Sequence, residues 1–390
     1  MVTLPGPDRY LSLDVFRGVT ITGMILVNNP GSWSYVYAPL RHAEWHGWTP
    51  TDLIFPFFLF IVGVAMVFAF EKRLQAGYRP ADLYPKIIRR TLILFALGLM
   101  LNVIPTHLPE GYNFFRDTLA KVRIMGVLQR IAVVYFIASV LVLHFSLRGL
   151  VIWSSVLLAG YWFLMKWVPF SVYQNGEWVR YVGILDQEIN LAAYVDNLIL
   201  RGHTWIQGRY LHFDPEGILS TMPAVVTTLS GYLAGKWIRL EKDGYEKVSW
   251  LFFAGFLGIL AGNLLSYGFP VNKQLWSPSY VVLTSGMACI ALAACIMLVD
   301  LKGWKAWTRP FVIFGTNALA YFVLAGVVGR LLLMIRVGAE QVSLKSWLFL
   351  HVFQPLFGAY NGSLAYAVTY IVLWLGVMRV LYQKRIFIKI

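Results

Sequence analysis

Charge is what this sequence has least of. Only 13 % of its 390 residues are Asp, Glu, Lys or Arg, against roughly 25 % in a soluble globular domain. So little charge cannot cover the water-facing surface of a chain this long, which excludes an ordinary soluble protein. Cysteine is scarcer still: Cys289 and Cys295 are the only two. Six residues apart on one helix, they point about 240° away from each other. That excludes a disulfide between them and a cysteine zinc site, and leaves packing as their role. Low-complexity segments, a clear internal repeat and a separable soluble domain are also missing. Few positive charges open the chain, and Asp14 and Arg17 interrupt the first apolar run. That run is therefore expected to stay as a helix rather than act as a secretory leader.

What is abundant is hydrophobic sequence, 58 % of residues with a mean hydropathy of +0.63. Apolar stretches long enough to cross a bilayer recur from end to end. The expectation is an all-α, polytopic membrane bundle of about ten helices forming one domain over 1–390. The helices are placed at roughly 13–30, 50–70, 87–104, 125–145, 149–168, 217–236, 249–268, 279–299, 310–333 and 363–382. A further segment, 347–360, is short, holds His351 and Pro355, and reads as interfacial or re-entrant. The net charge of +14 sits mainly in short loops, the pattern that orients membrane helices, so it implies anionic headgroups rather than nucleic acid. Lys72, Arg73, Arg79, Lys86, Arg89 and Arg90, then Lys236 to Lys247, Lys302 to Arg309, and the tail with Lys384, Arg385 and Lys389 all fall on one side if ten helices alternate. That side is read as cytoplasmic, with both termini on it. The opposite loops are longer and rich in Trp, Tyr, Pro and His, which suits interfacial belts and also sugars stacking on aromatic faces. The loop 169–216 is long enough to be functional or to carry its own structure.

Polar groups inside membrane helices are costly, so each is a functional candidate with a partner to be found. Asp14, Arg17 and Asn28 on the first helix fall within an arc of about 60° and run about 21 Å along it. The alternative is an Asp14–Arg17 pair that fixes register near the headgroups, with Asn28 capping the helix. Arg41 to Thr49 carries His42 and His46 around Glu44. Glu44 is in the wrong slot for the His-Glu-x-x-His zinc pattern; a metal held by His42 and His46 stays open as the lesser alternative, but nothing in the sequence requires one. A histidine at a membrane boundary suits proton transfer. Thr49 or Thr51 is placed to cap the second helix, with Asp52 in its first turn. Gln129 and Arg130 lie in an apolar run and are expected to face the bundle interior. Asn263, Ser266, Thr316 and Asn317 could add to that polar interior or simply join helices.

These blocks resemble a known family. Ser12 to Gly18, His42 to Gly47, Thr51 to Phe57, Ile61 to Gly63, Arg123 to Arg130, Asp214 to Gly217, Pro270 to Ser277 and Lys384 to Phe387 are similar, in order, to the membrane domain of heparan-α-glucosaminide N-acetyltransferases. The resemblance implies transfer of acetyl from cytosolic acetyl-CoA to a glucosamine amine across the membrane, with the essential histidine at His42 and the active-site asparagine at Asn28. The family's N-terminal luminal domain and the helix after it are expected to be absent, and His46 stands where the family has Asn. A small amino sugar or an envelope glycan is then as fitting an acceptor as a long glycosaminoglycan.

The expected mechanism sets the acetyl-CoA phosphates near Arg17, Arg89 or Arg90, whose forked donors suit phosphate. Asp14, Gln129, Arg130 and Asn317 complete the donor-binding set. His42 acts as general base or as a nucleophile through acetyl-imidazole, and Asn28 serves the oxyanion or orients His42. Asp52, Asp214, Glu216, Lys273 and Trp276 are candidates to hold the sugar. The bacterial inner membrane is the expected location, and a homodimer is suggested by analogy. The competing reading is an amino-sugar transporter, which would have no need of a thioester-donor pocket on the cytoplasmic side.

Overall fold

The computed structural model describes residues 10–108, 110–339 and 341–388, so Lys389 of the basic tail lies outside the described residues. Helix α1 (Leu11–Asn28) leads through a loop and a 3-10 turn (Pro50–Leu53) into α2 (Ile54–Gln75), followed by α3 (Pro80–Val103), α4 (Val127–His144) and α5 (Leu147–Trp167). The long loop then folds on its own. It forms a hairpin of β1 (Phe170–Gln174) and β2 (Glu177–Tyr181), a short helix α6 (Leu191–Leu200), and a second pair, β3 (Ile206–Gln207) with β4 (His212–Phe213). Helices α7 (Thr221–Arg239), α8 (Gly244–Leu265) and α9 (Pro278–Cys295) follow, the last running on through a π turn (Ile296–Leu301). Then come α10 (Arg309–Thr316), α11 (Ala318–Met334), the pair β5 (Arg336–Val337) and β6 (Val342–Ser343), and α12 (Leu344–Leu348). A π turn (Phe349–Phe353), α13 (Gln354–Phe357) and α14 (Ala359–Gln383) complete the chain.

The chain is thus a helical membrane protein. Among the described residues seven helices are long and apolar enough to cross a bilayer, and counting the α10–α11 pair as one span makes eight. Helices α3 and α7 are as long but more polar, because α3 carries Lys86, Arg89 and Arg90 within it and α7 carries Lys236 and Arg239 in its last turn. Two expectations need correction. The stretch 310–333 is not one helix: it bends by 83° between Thr316 and Ala318. The third helix starts earlier, at Pro80 rather than near 87, a residue suited to a first helical position, so Lys86 projects from the helix along with Arg89 and Arg90.

Local chemistry explains the other ends. Ser146, Asn190, Asp243, Ser277 and Ser343 each accept a backbone N–H at the start of a helix, satisfying donors that a helix leaves open. The β1–β2 hairpin turns on Asn175 and Gly176, with φ of 50° and 97°, the left-handed pair that a two-residue hairpin demands.

At the centre α2 and α7 pack backbone to backbone. A Cβ at Gly63 would lie 1.9 Å from the Thr228 carbonyl oxygen, and one at Gly231 would lie 1.9 Å from that of Phe60. Leu59, Val67, Val225 and Leu229 fill the space around this crossing. The basic ends of several helices meet at one end of the bundle, where Tyr10 donates to the Ile238 carbonyl and Glu71 pairs with Lys236 and Arg239. The loops before α2, α7 and α9 meet at the other end. Gly231→Val should separate α2 from α7 and cost the fold about 1–3 kcal/mol or more. A thermal melt in detergent checks this, the expected result being a clearly lowered midpoint or loss of monodisperse protein.

Candidate functional site

The loop after α1 delivers His42 to the start of α2, and Asp52 receives it. His42 Nδ1 lies 2.6 Å from Asp52 Oδ1. The other carboxylate oxygen accepts the Ala43 N–H at 3.0 Å, the Thr49 N–H at 3.0 Å and the Thr49 hydroxyl at 3.1 Å. Thr49 also donates to the Arg41 carbonyl at 2.6 Å, so the loop is closed on itself around the carboxylate. The Asp52 side chain is 1 % exposed while that of His42 is 48 % exposed. A buried acceptor therefore holds a histidine that opens to the outside. Asp52 accepts only, so Nδ1 carries the proton and Nε2 presents a lone pair.

A second loop lies across the first. Between α8 and α9, Asn272 takes the Leu275 N–H on its side-chain oxygen at 2.8 Å, and the Ser277 N–H reaches the Asn272 carbonyl at 3.0 Å. This tight turn puts Trp276 at φ 51°, a left-handed conformation that costs a bulky residue energy and persists only where the surroundings enforce it. The turn raises Lys273, whose Nζ lies 3.0 Å from His42 Nδ1, 3.3 Å from His42 Nε2 and 3.5 Å from Asp52 Oδ1. Burial pushes the Lys273 ammonium below its usual range, and Asp52 and Glu216 oppose that shift. The loops are laced by Asn272 Nδ2 to the Trp45 carbonyl at 2.9 Å and by the Gly47 N–H to the Val271 carbonyl at 2.7 Å. Tyr280 donates to the Asp52 carbonyl at 2.5 Å.

Beside this pair lies a buried charge network. Arg123 forks onto Asp214 through Nε at 2.8 Å and Nη2 at 2.6 Å, and it also pairs with Glu216. Burial, with the Glu216 charge beside it, raises the Asp214 carboxyl against the pull of Arg123. Burial also works to raise Glu216, but Arg123, Arg130 and Lys273 outweigh it and hold the carboxyl below its usual range. Asp196, on α6, accepts the Asp214 and Ile218 N–H groups at 3.1 and 2.9 Å. Its burial pushes the carboxyl up to about 7.

The expected site residues divide accordingly. His42, Asp52 and Lys273 come together, with Glu216 beside Lys273 and paired to Arg123. Asp214 is buried and spent on Arg123 and on two backbone N–H groups. Trp276 is 1 % exposed, with the Arg130 guanidinium 5.2 Å from its ring centroid and Phe55 and Tyr280 edge-on to it. It lies beneath the site and offers no open face for stacking. Asn28 ends α1 with its side chain exposed, and no hydrogen bond among the described residues joins it to His42. Asp14 and Arg17 form an ion pair at 3.4 Å, and Arg17 also reaches the Gly315 carbonyl. Arg89 is exposed, and Arg90 packs 4.6 Å from the Tyr135 ring centroid. Arg130 is fully buried, donating to Ser220 and to the Gly217 carbonyl, while Gln129 lies next to it, buried against Gly98. Asn317, at the helix break, spends its amide on the tail: Nδ2 donates to the Ile386 carbonyl at 3.0 Å and Oδ1 accepts from the Ile388 N–H at 2.9 Å. Asn263 and Ser266 bond within their own helix end. Arg123 and Asp196 were not singled out as site residues by the sequence reading. Arg123 stands at the edge of an apolar run, a signal that could have found it; Asp196 lies in a short amphipathic helix and gave none.

Asp196 yields a pH dependence. Its folded pKa is raised, so its contribution to stability is complete below the unfolded value near 3.8 and is lost as pH rises toward about 7, a loss of up to about 4 kcal/mol. Asp196→Asn should flatten that slope in thermal melts recorded between pH 4 and 7.

Residues 9–253 match the family model described as heparan-alpha-glucosaminide N-acetyltransferase, catalytic. The chain is 28 % identical over 433 residues to heparan-alpha-glucosaminide N-acetyltransferase of Mus musculus, an alignment covering 98 % of this chain and 61 % of that protein. It is 30 % identical over 367 residues to that of Homo sapiens, covering 81 % and 52 % respectively. The chain thus spans between half and two thirds of the length of these relatives.

Proposed function

The chain belongs to the heparan-α-glucosaminide N-acetyltransferase family, and we propose that it is a transmembrane N-acetyltransferase moving acetyl from acetyl-CoA to the amine of a glucosamine-type sugar. The observation that carries this reading is the His42–Asp52 pair with Lys273 against it. In this mechanism Asp52 holds Nδ1–H, and Nε2 of His42 takes a proton from the sugar amine as its nitrogen attacks the thioester carbonyl. Lys273 faces the negative charge that develops on that oxygen, and Asn28 is assigned to the same oxyanion. The C–S bond then breaks and coenzyme A leaves as the thiol, taking the proton from His42. The alternative route passes through an acetyl group on His42 Nε2, and the same geometry serves both.

In this reading all of 1–390 forms one catalytic membrane domain of ten crossings. Both termini lie on the side with the basic loops, taken as the cytoplasmic face of a bacterial inner membrane. Acetyl-CoA approaches along Asp14 and Arg17 from that side, with Arg89, Arg90, Gln129 and Arg130 as further donor-binding candidates; Asn317, both ends of its amide taken by the tail, is not one. The acceptor meets Lys273 at the opening on the other side, while Asp52, Asp214 and Glu216, buried and already paired, fix the loops around it; Trp276 supports them from below. A homodimer is part of the proposal. No observation favours the transporter alternative. Helix α10–α11 is broken, but both hydrogen-bonding ends of the Asn317 amide in the break are taken by the tail.

Transfer of radiolabel from acetyl-CoA to glucosamine by purified protein tests the reading. Wild type should transfer, and His42→Ala should bind acetyl-CoA yet fail to transfer; absence of both binding and transfer in folded wild type would overturn it. Lys273→Met should lower kcat by about 10²-fold, with a smaller change in the acetyl-CoA KM, in steady-state assays of the same reaction.

A further inference from the structure

Far along the chain from the transfer site, a second cation is buried with no acid among the described residues to meet it. Lys345, on α12, is 8 % exposed. Its ammonium lies 5.9 Å from the Trp33 ring centroid and 6.0 Å from that of Tyr366. No Asp or Glu among the described residues pairs with it, and burial alone lowers its pKa, to about 8. At neutral pH it therefore stays mostly charged. Aromatic faces attract a cation but supply no counter-charge, and a desolvated charge without one is costly.

The surroundings are built rather than loose. The loop after α1 is tied to α14 by the Gly31 N–H to the Ser363 carbonyl, the Ser32 N–H to Ser363 Oγ, and Ser363 Oγ–H to the Ser32 carbonyl, each 3.0 Å. That lacing holds Trp33 and Tyr366 beside the amine. The segment that carries Lys345 continues into Leu350, Leu356 and Phe357, which are exposed. In a membrane protein, a surface of this kind faces acyl chains. A cation at its edge, flanked by Trp and Tyr, has the chemistry of a headgroup site.

We propose that Lys345, between the loop after α1 and the start of α14, binds the phosphate of an anionic phospholipid. The Lys345 ammonium donates to a phosphate oxygen, and the exposed apolar side chains of the same segment lie along the lipid tail. This inference is independent of the acetyl-transfer reading, because its readout is lipid binding alone.

The test compares purified wild type, Lys345→Met and Lys345→Arg in delipidated detergent. Phosphatidylglycerol, phosphatidylcholine or inorganic phosphate is titrated, and binding is read by native mass spectrometry and by thermal midpoint. Wild type and Lys345→Arg should retain phosphatidylglycerol over phosphatidylcholine, and Lys345→Met should bind it about tenfold more weakly. In lipid-free detergent Lys345→Met should melt no lower than wild type, because it removes an uncompensated buried charge. Equal phosphatidylglycerol affinity and equal stabilisation in wild type and Lys345→Met would overturn the proposal. Inorganic phosphate stabilising wild type as strongly as phosphatidylglycerol would overturn its lipid part, assigning the site to a soluble phosphate instead.

Discussion

A buried carboxylate needs partners, and at one end of this bundle everything is arranged to supply them to Asp52. Its two oxygens take the Ala43 and Thr49 N–H groups, the Thr49 hydroxyl and His42 Nδ1–H, with Lys273 at 3.5 Å. Each of those donors belongs to a loop, and the carboxylate is the point where the two loops meet, alongside the bonds that lace them directly. The carboxylate at the start of α2 is thus an organising centre: it ends the loop from α1, begins the helix where a negative charge is favoured, and sets which nitrogen of His42 is bare. Removing it would leave His42 Nδ1 without its acceptor and Lys273 with Glu216 as its remaining nearby acid, so loop order and chemistry depend on the same group.

The neighbouring network applies the same rule to the other loops. Arg123 draws Asp214 and Glu216 together, and Asp214 in turn fixes the Trp205 N–H at 3.0 Å. Arg130 fills the space beneath, between the Gly217 carbonyl and the Trp276 ring. These charges are paired before any ligand arrives, and that separates them from Lys273 and His42, which face the opening. A buried ion pair adds little net stability; its effect here is to select one arrangement of three long loops.

Much of the helical layout was legible because membrane helices are written in continuous apolar runs, and all ten expected stretches have helical counterparts. The break at Asn317 was not legible. Thr316 and Asn317 interrupt hydropathy only slightly, and the partner of the break, the backbone of Ile386 and Ile388, lies some seventy residues on. The β1–β2 hairpin could have been read from Asn175-Gly176 between two apolar, alternating stretches. At the site, His42 and Asp52 were each visible, one by resemblance and one as a first-turn acid. Their contact depends on how the loop from Arg41 to Thr49 closes, which spacing alone does not fix. Trp276 was misplaced for a related reason: an external loop position suggests exposure, but the left-handed turn folds the indole inward under Arg130.

The account stands on Asp52 fixing His42 as a base. Its most direct test is acetyl transfer by Asp52→Asn, an isosteric change that keeps a polar side chain in place but removes the charge. The account predicts a fall in kcat of at least about 10²-fold with acetyl-CoA binding retained. Transfer at the wild-type rate by this variant would contradict it.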